Sequence, residues 1–252
     1  MTDHRADLDR TIVFLHGAGV TGWMWDAQVA DLTKFRCIVI DLPGHGSNHE
    51  LPWVSIDATA ALVAEVIRER TNGTVSLVGL SLGGDVGLRV LAGYPQLIDR
   101  AVLTGMVVRP VHGAIRWLQS ALAPMAEWRS FHRMAGKTMG LSGARLDEFM
   151  ATASPMRRAD YRAIVGEIFA GVSLAGLETV TVPTLAMAGA KETSIARASA
   201  EVIAATMPGA TARIVPGVGH IWNVEAPDLF SSTVREWIDA PPTAGGADGR
   251  AE

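Results

Sequence analysis

The sequence predicts an α/β protein: a mostly parallel central sheet of about six strands, flanked by helices and interrupted by a helical insertion. Three observations carry this expectation. Short β-branched and apolar runs alternate with longer stretches of helical period, the pattern of strand–helix–strand units. The segment Gly79-Leu80-Ser81-Leu82-Gly83-Gly84 stands between one such run and one such helix. Between Val108 and Leu177 the alternation stops, and no convincing strand is found.

The elements follow in chain order. Thr11-Ile12-Val13-Phe14-Leu15-His16 reads as a fully buried strand that ends at Gly17-Ala18-Gly19. A short helix runs from the Gly22-Trp23-Met24-Trp25-Asp26 segment to Leu32, and a second strand occupies Arg36 to Ile40. That strand stops at Asp41-Leu42-Pro43-Gly44-His45-Gly46-Ser47. A helix from Ile56 to Arg70 places Ala60, Val63, Val66 and Ile67 on one face. Asn72-Gly73 then turns the chain into the strand Thr74–Val78. The helix after Ser81 ends at Gly93-Tyr94-Pro95, and Ala101–Thr104 forms a fourth strand.

Segment 108–177 reads as short helices carrying Trp117, Leu118, Leu122, Met125, Trp128, Phe131, Met134 and Met139. It is expected to be a helical cap inserted into a sheet domain made of 1–107 and 178–240. The alternation resumes with strands at 182–189 and 212–215 and helices at 196–207 and 227–240. The small, polar tail 241–252 is expected to be disordered.

Bulk properties narrow the function classes. The 252 residues are 48% hydrophobic and 19% charged, with a formal net charge of −4 and no basic block. Nothing here supports a nucleic-acid or anionic-membrane partner. The single cysteine, Cys37, lies in an apolar run, so the chain alone builds neither a disulfide framework nor a thiolate zinc site. The charged first ten residues carry no signal-peptide core, and no apolar run spans a bilayer. A cytoplasmic protein is the default expectation. The sequence leaves the oligomeric state open.

The chemistry centres on Ser81. A G-x-S-x-G between strand and helix marks a nucleophile elbow, where glycines flank a turn too tight for side chains and the serine hydroxyl is pushed outward. A serine needs a base to take its proton and a third group to orient that base. His220, in the glycine-rich loop Pro216-Gly217-Val218-Gly219-His220 after the last strand, is the candidate base. Glu192, after the penultimate strand and between Ser81 and His220 in chain order, is the candidate acid. Reaction at a carbonyl also needs donors for the developing oxyanion. The N–H of Leu82 supplies one, and the turn after the first strand supplies the other from Ala18. Gly17, Trp23, Trp117, Trp128 and Trp222 are candidate substrate-binding residues. The cap tryptophans read either as cap core or as lining for an apolar ligand.

On these motifs the chain resembles the α/β-hydrolase fold superfamily, in particular its small, capped, cofactor-free members. The carriers are HGAG at 16–19, DLPGHG at 41–46, GLSLGG at 79–84, the segment from Val182 to Glu192, and PGVGH at 216–220. The resemblance covers most of residues 11–240 and implies Ser81 as nucleophile, His220 as base then acid, and Glu192 as orienting acid, with no cofactor and no metal. Most members carry Asp where Glu192 stands. Members usually begin with an antiparallel hairpin, which is expected to be reduced or absent here. Ser81 excludes the haloalkane dehalogenase and epoxide hydrolase branches, which need Asp at that position.

The expected activity is hydrolysis of a carboxylic ester, lactone or thioester of small, apolar character. The same residues allow two other uses. C–C bond hydrolysis or lyase chemistry keeps Ser81 and His220, but hydroxynitrile lyases of this fold place Lys where Ile221 stands, and the menaquinone-pathway synthases place Arg where Asp85 stands. A small-molecule receptor would retain the triad and bind without sustained turnover.

Overall fold

The computed structural model describes residues 1–111, 129–138, 142–152 and 156–241. The strands are β1 (Thr2–His4), β2 (Thr11–Leu15), β3 (Arg36–Ile40), β4 (Val75–Leu80), β5 (Ile98–Thr104), β6 (Thr184–Gly189) and β7 (Ala210–Val215). Among the described residues they form one sheet in the order β1-β3-β2-β4-β5-β6-β7. Every neighbouring pair is parallel except β1 with β3.

The sequence pattern explains the layers. All residues of β2, β4 and β6 are buried, as parallel strands covered on both faces require. Alternate side chains feed two cores. Val13, Leu15, Ile38, Ile40 and Leu77 meet α2 (Ile56–Arg70), α3 (Leu82–Gly93) and a later helix, Ser194–Thr206. Ile12, Phe14, Cys37, Val39 and Val78 meet Trp25, Val29, Phe230 and Val234 on the opposite face. There the helices are α1 (Asp26–Asp31) and the last helix, Pro227–Asp239. The α2 boundary is set locally: Ser55 accepts from the Ala58 N–H at 3.0 Å, and Asp57 and Arg68 sit at the ends the helix dipole favours.

The N-terminus adds to the expected strand count of about six. The sheet has seven strands, because the charged N-terminus adds β1 antiparallel to β3, with Thr2 opposite Val39 and His4 opposite Cys37. Three residues are too few to show an alternating pattern; the backbone ladder and Arg36, which donates to both Asp3 oxygens at 2.9 and 2.6 Å, hold the strand. The N-terminal hairpin is thus reduced, as expected, to one short strand.

The chain leaves the sheet after Thr104 and returns at Thr184, which brackets the segment expected to form the cap. Its described helices are α4 (Arg129–Thr138), α5 (Gly143–Thr152) and α6 (Arg158–Ala170). Two carboxylates two turns apart on α6 dock it to the sheet domain. Asp160 accepts from the Trp53 N–H at 3.1 Å, and Glu167 accepts from the Ile56 N–H, at the start of α2, at 2.7 Å. Trp117 and the Trp128 side chain lie outside the described residues, as does the tail from residue 242.

Helices α7 (Ser194–Thr206), α8 (Trp222–Glu225) and α9 (Pro227–Asp239) complete the fold. The chain reverses direction between β2 and β4: β3 lies on one side of β2, and the later strands lie on the other. In open α/β sheets the crevice at such a switch point, beyond the strand carboxyl ends, collects ligands. His16-Gly17-Ala18 and Ser81 both begin there. Among the described residues no helix is long and apolar enough to cross a membrane.

Candidate active site

Ser81 links β4 to α3 with φ 55° and ψ −119°, a left-handed conformation rare for a residue with a Cβ. The flanking glycines make the turn possible. A Cβ on Gly79 would lie 2.4 Å from the Gly83 carbonyl oxygen, and one on Gly83 would lie 2.1 Å from the Leu15 carbonyl oxygen. The turn is tied sideways to the next strand, where the Ser81 N–H donates to the Thr104 carbonyl at 2.8 Å. Leu82 is the first residue of α3, so its N–H is among those a helix leaves without an intrahelical partner.

His220 follows β7. Its Nδ1 lies 2.6 Å from Glu192 Oε2, and the other carboxylate oxygen of Glu192 accepts from the Gly189 N–H at 2.8 Å. The Glu192 side chain is 4% exposed against 39% for His220, so the acid is hidden while the base stays reachable. With the carboxylate at Nδ1, that nitrogen carries the proton and Nε2 is left with a free lone pair.

The two loops are pressed together. Lys191 N–H donates to Val218 O at 3.0 Å, and a Cβ on Gly189 would lie 2.4 Å from Gly219 O. The imidazole is seated on β5: a Cβ on Gly105 would meet His220 Cε1 at 2.7 Å. Gly105 directly follows Thr104, the residue that receives the Ser81 N–H. The structure therefore brings Ser81, His220 and Glu192 to the ends of three strands at one edge of the sheet.

Imidazoles hold the turn after β2. Gly17 lies against the elbow, where an added Cβ would sit 3.5 Å from Ser81 Cβ. His16 is wholly buried; its Nδ1 donates to Gly17 O at 2.8 Å and its Nε2 accepts from the Leu42 N–H at 2.9 Å. Burial, with His45 nearby, pushes its pKa down to about 3, so it is neutral and structural. Asp41 accepts from the Gly22 N–H at 2.8 Å and from Ser47 N–H and hydroxyl at 3.0 and 2.8 Å. Burial works to raise its pKa, but these bonds outweigh it and hold the carboxyl below the usual range.

The other sequence candidates divide. Trp23 follows the oxyanion turn, and its ring meets Phe149 of α5 edge-on at 6.4 Å, so it stands between the sheet domain and the insertion. Trp222 is a correction. It is fully buried, donates to Thr104 Oγ1 at 3.0 Å and packs on Phe230 at 4.5 Å between ring centres, which makes it core rather than pocket lining. It stands two residues after His220, but helix α8 turns it inward.

Sequence reasoning also missed the Thr104-Gly105 seat. The available signal was a glycine directly after a strand end. Asp85, one helical turn beyond Ser81, is 1% exposed and accepts from the Val107 N–H at 3.4 Å. Burial pushes its pKa well above the usual carboxylate range. Among the described residues no group of three His, Cys, Asp or Glu is arranged to hold a metal ion.

Comparison with known proteins follows the same lines. The profile of the alpha/beta hydrolase family matches residues 12–233. A pimeloyl-[acyl-carrier protein] methyl ester esterase of Nitrosomonas europaea is 37% identical over 93 residues, 36% of this chain and 35% of that protein. The enzyme of that name from Edwardsiella ictaluri is 26% identical over 91% of this chain and 93% of its own. Among solved structures, a hydrolase from Pseudomonas aeruginosa PA01 superposes with a TM-score of 0.81 at 26% identity, covering 94% of this chain and 92% of that one.

Proposed function

Since the chain belongs to the alpha/beta hydrolase family, we propose that it hydrolyses carboxylic esters through an acyl-enzyme on Ser81. The observation that carries this reading is the 2.6 Å contact of Glu192 with His220 Nδ1, on a ring seated over Gly105 beside the elbow. It leaves His220 Nε2 as the free base on the side open to substrate. The names of the Nitrosomonas and Edwardsiella relatives support an ester as the bond attacked.

The steps follow from the groups. Ser81 Oγ attacks the ester carbonyl as His220 Nε2 takes its proton, and the C=O π pair moves onto oxygen. The N–H groups of Leu82 and Ala18 receive that oxyanion, and buried Glu192 stabilises the imidazolium without taking its proton. The tetrahedral adduct collapses, the C–O bond to the alcohol breaks, and His220 returns the proton to the departing oxygen. Water, deprotonated by the same nitrogen, then attacks the acyl carbon and releases the acid and Ser81.

The substrate is a small ester of apolar character, admitted between the oxyanion turn and a cap formed by 108–177. Trp23 contributes an apolar wall, with Gly17 keeping the approach to Ser81 open. Lactones and thioesters present the same carbonyl and are near alternatives.

The test is a panel of p-nitrophenyl esters of increasing acyl length, beside lactones and thioesters, on the wild type and on Ser81→Ala. Sustained turnover of at least one ester by the wild type, absent in Ser81→Ala, is expected. Full activity in Ser81→Ala would defeat the reading. Tight binding with a single slow turnover would mark a receptor instead.

A further inference from the structure

Ala18 sits between two peptide units, and an imidazole grips each of them. The Gly17–Ala18 unit is held at its carbonyl by His16 Nδ1–H at 2.8 Å. Because a peptide unit is planar, that grip also directs the Ala18 N–H. The Ala18–Gly19 unit is held at its N–H, which donates to His45 Nε2 at 3.1 Å. His45 comes from the loop after β3, is 3% exposed, and its other nitrogen lies 2.9 Å from Pro43 O. The donor to that carbonyl must be Nδ1–H, so Nε2 is an unprotonated acceptor.

Ala18 packs against one core and Val20 is buried in the other, so packing holds the turn on both sides of Gly19. Gly19 itself has φ +74°, and among the described residues no atom beyond its chain neighbours lies within 4 Å of the place a Cβ would take. Its own peptide plane is set by the hydrogen bond to His45. The same bond occupies the Gly19 N–H, which leaves the Ala18 N–H as the turn's donor to an oxyanion.

We propose that His45 is a positioning residue of the oxyanion hole: its Nε2 anchors Gly19 and thereby holds the Ala18 N–H on the developing negative charge. The proposal rests on the ester-hydrolase reading above, in which Ala18 is a donor. His45 acts through the backbone and does not touch the substrate. Losing it frees one side of Ala18 while His16 still grips the other, so the effect falls below that of deleting a donor outright, which is about 10²–10³ in kcat.

Two variants of the full chain test it. In His45→Gln the amide oxygen reaches the place of Nε2; in His45→Asn it stops short of Gly19. Both are assayed on the best p-nitrophenyl ester and for affinity toward an alkyl boronic acid, which forms a tetrahedral adduct with an active serine. His45→Asn is expected to lose about 10- to 100-fold in kcat with KM little changed. Its boronate affinity should fall by the same factor, and His45→Gln should recover most of both at an equal thermal midpoint.

Wild-type kcat and boronate affinity in His45→Asn would overturn the proposal. So would parallel losses in both variants that track a fall in thermal midpoint, since that marks a merely structural role. Ser81→Ala run alongside separates the two levels: if it keeps wild-type turnover, the ester-hydrolase reading falls, and the proposal with it.

Discussion

Glu192 divides its carboxylate between the His220 ring at 2.6 Å and the Gly189 N–H at 2.8 Å. This double contact accounts for a glutamate where the family usually has aspartate, because the side chain must curl back three residues and still reach the imidazole. Glu192→Asp, one methylene shorter, keeps at most one of the two contacts and is expected to lose about tenfold or more in kcat. Glu192→Ala is expected to lose up to about 10⁴-fold, the scale for disabling the orienting acid of a serine triad. Steady-state kinetics on one ester decide it, and a loss below tenfold would send the role to another acid.

Asp85 makes a prediction about stability. Its pKa in the folded protein is raised by burial from the ordinary 3.8, so the unfolded chain releases this proton first as pH rises. The residue's stabilising contribution is therefore full below 3.8 and is lost as pH climbs toward the folded value. Asp85→Asn removes that loss. Its thermal midpoint should exceed the wild type's at neutral pH, and the gap should close near about pH 3. An equal gap at both pH values would contradict the burial argument.

At the scale of elements, the catalytic edge depends on how closely backbones approach. Gly105 has φ +72°, and His220 Cε1 lies where its side chain would begin, at 2.7 Å. Gly105→Ala should displace the imidazole and cost about 10²-fold in kcat, the order expected for a misplacement of 1 Å. Circular dichroism should show the fold retained. Wild-type kcat in that variant would mean that the ring is not seated there.

Much of this edge was legible beforehand. The strands β2, β3, β4 and β6 announce themselves because burial on both faces demands unbroken apolar runs. Ser81 stands out because it directly follows such a run, and Glu192 and His220 because each lies in the loop after one of the last two strands. What escaped reading is set by contacts between distant parts of the chain. Strand β1 is too short to show a period and is held by β3. Trp222 faces inward because Thr104 offers its indole an acceptor. The docking of α6 pairs Asp160 with the Trp53 backbone, 107 residues away, and no local pattern encodes that.

For the whole molecule, the order of the strands does the organising. It places the turn after β2 and the elbow after β4 side by side, with the His220 ring seated over the end of β5. Helix α6, in the excursion between β5 and β6, is tied to the sheet domain by Asp160 and Glu167.

If Ser81 carries the acyl group, as proposed, that intermediate can be trapped. The protein is mixed with a p-nitrophenyl ester, quenched in acid during turnover, digested, and examined by mass spectrometry. A burst of p-nitrophenol and one added acyl group on the peptide containing Ser81 are expected, both absent in Ser81→Ala. Sustained hydrolysis with the acyl group on another residue, or undiminished turnover in Ser81→Ala, would contradict it.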